Sequence, residues 1–377
     1  MRIVFWQNCI SPHQMPYISR LICDERVDEV VVVSDKVSYD NRIQMGWNAD
    51  LKRWEDACEI IIEPKEEQIE AILSLRVEES WHLFSGIRAF EFVFNAFKKS
   101  LKYHLKRGLI TERPNTFAFG RANGKPLWMH RLRFLLQDRS YAKNVDCVFA
   151  MGMEAVDYFK SVYSWQVFPF CYCTEKNDLP IKEVGKELPL RICYVGSLEW
   201  WKGLDILLSA CRLLKSYYID SFSVTLIGNG SEKEKLSEYC QKNGLNNISF
   251  AGSKPQTEVY EMLCNHDVLV LPSVYDGWGA VVNEALLAGL YTICSSACGS
   301  SDVIHNSRIG AVFKSMGVDE LTLILRDCIN RQSDIRTDKS YRKKWAGDHI
   351  GGDAIAQYML DCLSGDKPLR PWVSSTL

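Results

Sequence analysis

The 377-residue sequence predicts an α/β fold with two doubly wound domains, each a parallel sheet covered by helices on both faces. The first observation is the length, because a chain of this size is too long for one ordinary hydrophobic core. The second is a repeated alternation of short apolar strands with helices, which is typical of buried parallel strands. The third is a polar segment after which the alternation starts again. We therefore expect an N-terminal domain at 1–170, a linker at 171–189, a second domain at 190–350 and a C-terminal helical segment at 351–377.

In the first half of the chain, strands are predicted where a short apolar run is bounded by polar or turn residues. These strands are Arg2–Trp6, Val27–Ser34, Cys58–Pro64, Ser80–Phe84 and Val145–Met151. Helices are predicted near Pro16–Cys23, Glu66–Leu75, Ile87–Arg107, Pro126–Ala142 and Glu154–Tyr163. Because the chain opens with MRIVFW, its start reads as a strand and not as a signal peptide.

The second half repeats this pattern. Its strands are Arg191–Val195, Ser223–Gly228, Asn247–Gly252, His266–Ser273 and Tyr291–Ser296. The helix after the first of them places apolar residues on one face at helical spacing. They are Leu204, Leu207, Leu208, Cys211 and Leu214. Helical segments after Gly317 complete the chain and include Gly352–Leu363.

The composition is that of a soluble globular protein, with 47% apolar and 24% charged residues. The net charge of −2 indicates no particular partner. No apolar run reaches the ~18 residues of a membrane span, so we expect a cytoplasmic protein. Its 14 cysteines are expected to be reduced, because no segment indicates a route to an oxidising compartment, and mostly buried. Their spacing fits no zinc site.

The charge is unevenly distributed along the chain. Residues 1–96 carry a net charge of −7, whereas residues 97–143 hold 12 Lys and Arg against two acids, Glu112 and Asp138. The basic block also holds Phe117, Phe119, Trp128, Phe134 and Tyr141. It suits an anionic membrane surface or an anionic acceptor; nucleic acid is not expected, because nothing resembles a nucleic-acid-binding module. The alternative is a solvated helix that carries Lys98, Lys99, Lys102, Lys106 and Arg107 on its outer face.

The segment Val274–Gly289 is the most informative part of the sequence. It follows a buried strand and places Asp276 and Glu284 on either side of a glycine turn and a helix start. A helix start favours anions, and carboxylates accept hydrogen bonds from hydroxyls. Phosphates at the helix start with hydroxyls at both acids together indicate a sugar nucleotide.

This string resembles the paired-glutamate motif of the retaining glycosyltransferases of family 4, or glycosyl transferases group 1. The matching residues are Asp276, Gly277, Trp278, Gly279, Glu284, Ala285, Ala288 and Gly289. The first acid is Asp instead of the usual Glu and is one methylene shorter. The resemblance, specific over about Arg191–Phe313, implies the GT-B fold: two Rossmann-like domains facing across a cleft, with the last helix returning to the N-terminal domain.

The resemblance also implies roles for the turn Gly196–Gly203. It is similar to the family's Gly-Arg-Leu…Lys-Gly turn, so Lys202 would neutralise the departing nucleotide diphosphate. Ser197 occupies the position of the family's Arg. Losing this cation should weaken stabilisation of the diphosphate unless Lys254 or an arginine of the N-terminal domain substitutes for it. A second turn, with Gly228 and Gly230, would lie near the donor.

By the same resemblance, Glu284 would accept both ribose hydroxyls and Asp276 would contact the donor sugar. The Gly277–Gly279 segment, including Trp278, would meet sugar and phosphate. The implied reaction is transfer with retention, without a metal or a tightly bound cofactor; the nucleotide sugar is a substrate. Asp276 as a covalent nucleophile is a further option that we do not favour.

The acceptor side is less specific. His82 ends an apolar run directly before Ser85 and Gly86, which would place it at a ligand-facing strand end, and it is our candidate catalytic residue there. His13 is its rival and Glu112 a weaker candidate. Each histidine has a structural alternative, as a residue that only packs in the core.

The sequence thus predicts a hexosyltransferase-type enzyme that moves a sugar from a UDP- or GDP-sugar to a hydroxyl of a glycan or lipid-linked acceptor. Such a reaction belongs to polysaccharide, lipopolysaccharide O-antigen or capsule biosynthesis, at the inner face of the membrane. The alternatives are a non-catalytic GT-B scaffold and a GT-B sugar-nucleotide epimerase. A dinucleotide-dependent oxidoreductase is disfavoured because neither first strand leads into GxGxxG.

Overall fold

The chain forms two compact units in the computed structural model, which describes residues 1–39, 51–114, 126–162, 166–176, 180 and 188–373. Unit 1 comprises Met1–Glu175 with Gly351–Leu377, and unit 2 comprises Lys176–Ile350. Phe117, Phe119, Tyr163 and most of the predicted linker lie outside the described residues. No helix within the described ranges has the length and apolar character needed to cross a bilayer.

Unit 1 is built on a sheet of seven parallel strands among its described residues. In chain order they are β1 Arg2–Cys9, β2 Glu29–Lys36, β3 Glu59–Ile62, β4 Ser80–Phe84, β5 Lys106–Thr111, β6 Cys147–Met151 and β7 Gln166–Phe170. Their order across the sheet is β3-β2-β1-β4-β5-β6-β7. The helices are α1 Met15–Leu21, α2 Glu66–Ser74, α3 Glu91–Ser100, α4 Leu127–Arg133, α5 Arg139–Ala142 and α6 Met153–Val162. The order in which the chain adds strands to the sheet reverses between β1 and β4. Ligands bind at such a reversal in open α/β sheets.

The central strands of unit 1 are apolar because both of their faces are covered. Every residue of β1 and β4 is buried, and the four valines of β2 are at most 3% exposed. Trp6 and Phe84 stack with ring centroids 6.0 Å apart, and Phe97 of α3 packs edge-on against Phe84 at 5.1 Å. This aromatic cluster holds α3 on the sheet.

The predicted helix Ile87–Arg107 is wrong in its second half. Helix α3 ends at Ser100, and β5 begins at Lys106. Arg107, expected on an outer helical face, is buried and donates hydrogen bonds to Ser100 Oγ and the Leu105 carbonyl, both at 2.9 Å. The spacing of the lysines stays helical beyond the residue at which α3 ends. The sequence pattern therefore did not reveal the buried strand β5.

Unit 2 contains six parallel strands in its described part. They are β8 Leu190–Val195, β9 Phe222–Ile227, β10 Ile248–Gly252, β11 Val268–Leu271, β12 Tyr291–Ser295 and β13 Gly310–Phe313, in the order β10-β9-β8-β11-β12-β13. The helices are α7 Leu204–Tyr218, α8 Lys233–Lys242, α9 Gln256–Cys264, α10 Val281–Leu287, α11 Val318–Asn330, α12 Gln332–Thr337 and α13 Lys339–His349. The sequence did not predict β7 or β13. The reversal of strand order lies between β8 and β11.

Helix α14, Gly352–Leu363, belongs to unit 1 and packs on α1. Gly352 approaches the Pro16 carbonyl so closely that an added Cβ would lie 2.2 Å from its oxygen. Arg26 pairs with Asp361 at 2.9 Å. The chain therefore leaves unit 1, builds unit 2 and returns to complete unit 1.

Candidate functional site

Two turns meet at the carboxyl ends of β8 and β11, the reversal point of the unit 2 sheet. The turn Gly196–Gly203 follows β8, and the segment beginning at Pro272 follows β11. Gly203 has φ +66°, and a Cβ there would lie 2.2 Å from the Pro272 carbonyl oxygen. Glycine is required because the two backbones touch at this position. The predicted site is therefore assembled by direct contact of its two turns.

Lys202 and Asp276 form an ion pair across these turns. The distance from Lys202 Nζ to Asp276 Oδ2 is 2.6 Å, and the side chains are 20% and 15% exposed. The Asp276 backbone is fixed on both sides: its N–H donates to Ala297 at 3.3 Å, and its carbonyl accepts from Gly299 at 3.2 Å. The structure thus brings together the predicted cation and the predicted sugar-binding acid.

The Gly277–Gly279 turn is anchored by its aromatic residue. Trp278 is 2% exposed, and its indole N–H donates to Asn283 Oδ1 of α10 at 2.8 Å. The Ser300 N–H donates to the Trp278 carbonyl at 2.8 Å. The Trp278 side chain therefore holds the turn against α10, and only the backbone of this turn is placed to meet a ligand.

Glu284 lies in the first turn of α10 and is half-buried. Within the described part of the chain its carboxyl group has no hydrogen-bond or ion-pair partner. Burial raises the pKa of Glu284 from 4.5 to about 7. A carboxyl held in this way is ready to accept hydrogen bonds from hydroxyl groups that a ligand supplies.

The turn after β9 packs directly on the turn after β8. A Cβ at Gly228 would lie 1.9 Å from the Gly196 carbonyl oxygen, and one at Gly230 would lie 2.4 Å from the Leu198 carbonyl oxygen. Packing of the two turns alone therefore accounts for both glycines. The Ser197 carbonyl accepts from the Tyr194 hydroxyl at 2.8 Å.

Lys254, expected as a substitute for the missing arginine, pairs with Glu258 at 3.1 Å on the exposed start of α9. That carboxylate lies one helical turn along from Lys254, so the pair belongs to the helix surface. The structure does not bring Lys254 into contact with Lys202 or Asp276.

The expected placement of His82 at a ligand-facing strand end is wrong. His82 is the middle residue of β4 and is fully buried. Its ring stacks on Trp6, and its Nδ1 accepts the Trp6 indole N–H at 3.0 Å. Burial, with the charges of Arg2 and Arg107, lowers the pKa of His82 to about 3. The ring is neutral and enclosed in the core, so we leave it out of the site. Its rival His13 is also buried.

Sequence reasoning missed a cavity of about 500 Å³ in unit 1. It lies at the carboxyl ends of β1, β4 and β5, next to the reversal of strand order. Polar and aromatic residues line it, including Asn8, Arg88, Glu112, Asp138, Tyr158 and Tyr172. Aromatic faces with polar groups suit a sugar. The reversal of strand order would have located the cavity, had β5 been recognised.

The geometry can be compared with known proteins. Residues 176–345 match the family model described as glycosyl transferases group 1. Glycogen synthase of Mycobacterium tuberculosis is 26% identical over 188 residues, which cover 48% of this chain and 45% of that protein. The amylovoran biosynthesis glycosyltransferase AmsK of Erwinia amylovora is 28% identical over 168 residues, 43% of this chain and 41% of that protein. The chain thus spans less than half the length of these curated relatives.

Among solved structures, Anabaena Alr3699/HepE in complex with UDP superposes with a TM-score of 0.70 at 14% identity, covering 97% of this chain and all of that one. The same protein has been solved with UDP and glucose and with UDP-glucose. The fold is GT-B, and residues 176–345 are similar to glycosyl transferases group 1. In the described ranges, no group of three or more His, Cys, Asp or Glu side chains is arranged to hold a metal ion.

Proposed function

We propose that the chain is a retaining glycosyltransferase of family 4 that uses a UDP- or GDP-sugar donor. The observation that carries the proposal is the Lys202–Asp276 ion pair at the carboxyl ends of β8 and β11, with Glu284 close behind it on α10. These residues lie within the part of the chain that matches glycosyl transferases group 1. The UDP and UDP-glucose complexes of the similar Anabaena protein support this class of donor.

Each residue of the site has one task in the proposed reaction. Glu284 accepts hydrogen bonds from the ribose hydroxyls, because its carboxyl oxygens have no hydrogen-bond partner among the described residues. Lys202 gives one of its three N–H donors to Asp276 and directs the others at the diphosphate. Asp276 contacts the donor sugar. The backbone of Gly196, Ser197, Gly228 and Gly230 lines the same edge of the sheet.

Negative charge builds on the diphosphate as the glycosidic bond breaks, and the sugar becomes similar to an oxocarbenium ion. Lys202 stabilises the departing diphosphate, and Asp276 places a negative charge near the electron-poor sugar. No step of this account requires a metal ion. Retention follows from the resemblance to family 4.

The acceptor is a hydroxyl group of a glycan or a lipid-linked sugar, and we place it in the unit 1 cavity. Its polar and aromatic lining and its position at the reversal of strand order support this assignment. The similarity to a protein named for amylovoran biosynthesis supports a role in polysaccharide, O-antigen or capsule synthesis. The chain would work in the cytoplasm at the inner face of the membrane.

The test combines calorimetry and turnover. Wild type should bind UDP or GDP, and a panel of nucleotide sugars with glycan acceptors should identify a transfer reaction. Glu284→Ala should weaken nucleotide binding by about five- to 150-fold, since its hydrogen bonds are expected to contribute about 1–3 kcal/mol. Asp276→Asn should retain nucleotide binding and lose turnover. Glu261→Ala, an exposed acid on α9, is the matched control.

Three outcomes would contradict the proposal. Binding of neither UDP nor GDP would favour a non-catalytic scaffold. Nucleotide release that does not depend on an acceptor would favour an epimerase. Full activity of Glu284→Ala with every donor would refute the site assignment. The anomeric configuration of the product, read by NMR, tests retention separately.

A further inference from the structure

The segment Leu127–Ala142 exposes an unusual amount of apolar surface. It consists of α4, a π-helical turn at Phe134–Asp138 and α5. Five of its large apolar side chains are exposed: Trp128 62%, Met129 38%, Leu132 48%, Leu135 49% and Leu136 76%. Their spacing of three and four places them on one side of the segment, which we name the apolar face. No other helix in the described part of the chain exposes more than two such residues.

The opposite side of the same segment is already packed. Phe134 and Ala142 are buried, and the Tyr141 ring lies edge-on to Phe94 of α3 at 5.3 Å. Arg88 forms an ion pair with Asp138 of the segment at 3.2 Å. The segment is therefore fixed on unit 1, and its apolar face points away from the core. A helix that is apolar on both sides indicates a second apolar contact.

Basic residues flank the apolar face. Arg131, Arg133, Arg139 and Lys143 are exposed, and none of them forms an ion pair with any described residue. The one acid of the segment, Asp138, is engaged by Arg88. Asp138 also attracts Arg133, but a single acid cannot neutralise four exposed basic residues, so this surface keeps a net positive charge.

The lysines of α3 differ from this set. Lys99 pairs with Glu66, and Lys102 pairs with Glu70 at 3.0 Å, both on α2. The basic block of the sequence thus divides into a neutralised part on α3 and an unneutralised part beside the apolar face. This division is the reason to assign a ligand to the second part alone.

We propose that the apolar face docks on an anionic membrane surface. Trp128, Leu132 and Leu136 would enter the boundary between headgroups and acyl chains, while Arg131 and Arg133 would bind lipid phosphates. Two copies of this face would bring their basic rims together, which disfavours self-association. The docking goes beyond the proposed transfer reaction and does not depend on it.

Docking has one consequence for the proposed reaction. Phe134 and Asp138, on the packed side of the segment, line the unit 1 cavity. The cavity wall would then lie one helix thickness from the lipid surface, where a lipid-linked acceptor is presented. This consequence, unlike the docking, rests on the proposed function.

The experiment is sedimentation with vesicles of phosphatidylcholine containing about 30 mol% phosphatidylglycerol, compared with phosphatidylcholine alone. Wild type should bind the anionic vesicles. Leu132→Ser with Leu136→Ser, and separately Arg131→Glu with Arg133→Glu, should each weaken partitioning at least about tenfold. The matched controls are the exposed residues of α7 and α8: Leu213→Ser with Tyr217→Ser, and Arg212→Glu with Lys242→Glu. Both controls should bind as wild type does.

Brominated lipids provide a second readout, because bromine quenches tryptophan only at short range. Trp128→Phe should keep vesicle binding and lose the quenched fraction of the fluorescence. Thermal unfolding and UDP binding, measured on every variant, report on folding and on the donor site. Loss of vesicle binding with both of these intact is the expected result.

Two results would overturn the proposal: wild type that ignores anionic vesicles, or apolar-face variants that bind them as wild type does. A concentration-dependent dimer that the same variants abolish would assign the face to a second copy. Because UDP binding is measured in parallel, failure of the docking proposal remains distinct from failure of the proposed function.

Discussion

At the scale of single residues, the candidate donor site combines one satisfied and one unsatisfied carboxyl group. Asp276 is paired with Lys202 at 2.6 Å. Glu284 is half-buried without a partner among the described residues, and its pKa is raised to about 7. A carboxyl group whose charged form is disfavoured in the folded protein reduces stability, and such groups occur often in functional sites.

Because the pKa of Glu284 is raised, we expect the free energy of unfolding to depend on pH. In the unfolded chain this carboxyl ionises near 4.5, and in the folded protein near 7. The folded protein therefore holds the extra proton between these values, and stability falls as pH rises through that window. Between about pH 5.5 and 8.5, wild type should lose about 2 kcal/mol relative to Glu284→Gln.

Urea denaturation of both proteins across this pH range measures the difference, with Glu261→Gln as the exposed control. Glu284→Gln should be the more stable protein at high pH and should bind nucleotide less well. A difference between wild type and Glu284→Gln that does not change with pH would show that Glu284 has a hidden partner and would remove the argument.

At the scale of elements, a buried charge network ties unit 2 together at the amino end of β11. The Asp267 carboxylate is fully buried and pairs with Arg191 of β8 at 2.8 Å, Lys339 of α13 at 3.0 Å and Arg336 of α12 at 3.2 Å. Burial alone would raise the pKa of Asp267, but the Arg191 hydrogen bonds and the Lys339 charge outweigh it and lower the pKa. The network lies at the amino ends of the strands, whereas the candidate site lies at their carboxyl ends.

Replacement of Asp267 by Asn should therefore destabilise unit 2 without affecting the site chemistry. Removing the carboxylate leaves buried cations unpaired, which costs about 3–5 kcal/mol. Because its folded pKa is lowered, the contribution of Asp267 is complete above the unfolded pKa of 3.8 and is lost as pH falls below it. Chemical denaturation at neutral and acid pH measures both effects. Asp220→Asn, an exposed acid of the same unit, should change little; an equal loss there would contradict the account.

The strands with strong apolar runs were predictable, and the failures have identifiable physical causes. The runs that became β1, β2, β8 and β11 were predicted as strands because buried parallel strands are near-continuous apolar runs. Strand β5 was not predicted because it contains the charged residue Arg107, whose partners are backbone carbonyls and the Ser100 hydroxyl, and no sequence pattern displays such contacts. The strands β7 and β13 are short, and the sequence pattern assigned no element to them.

In the candidate site too, features that depend on a short stretch of sequence were predictable, and features that depend on distant strands were not. Lys202, Asp276 and Glu284 could be proposed from the sequence because each lies in a short local motif that resembles the family's pattern. The burial of His82 was not predictable, because it depends on Trp6 of a neighbouring strand. The unit 1 cavity is formed by three strands that are far apart in the sequence, so it too required the structure.

At the scale of the whole molecule, the same order of six strands occurs twice, with β7 added in unit 1, and each sheet has a candidate binding region at its reversal point. In unit 1 this is the cavity beside β1 and β4, and in unit 2 it is the pair of turns after β8 and β11. The proposed donor-site residues all lie in unit 2, which is continuous from Lys176 to Ile350. Unit 1 is discontinuous, because it needs α14 from the far end of the chain.

This arrangement predicts that damage to α14 affects unit 1 and spares nucleotide binding. Met359 is fully buried on α14, whereas Gln357, two residues earlier, is exposed. Met359→Asp buries an unpaired charge, which costs several kcal/mol, and should lower or abolish the thermal transition of unit 1. Gln357→Asp introduces the same charge on the outer side and should leave the transition in place. Scanning calorimetry separates the transitions, and titration with UDP reports on unit 2. Retained UDP affinity in Met359→Asp would support a donor site that unit 2 builds by itself, whereas its loss together with the unit 1 transition would show that unit 2 requires unit 1 to fold or to bind.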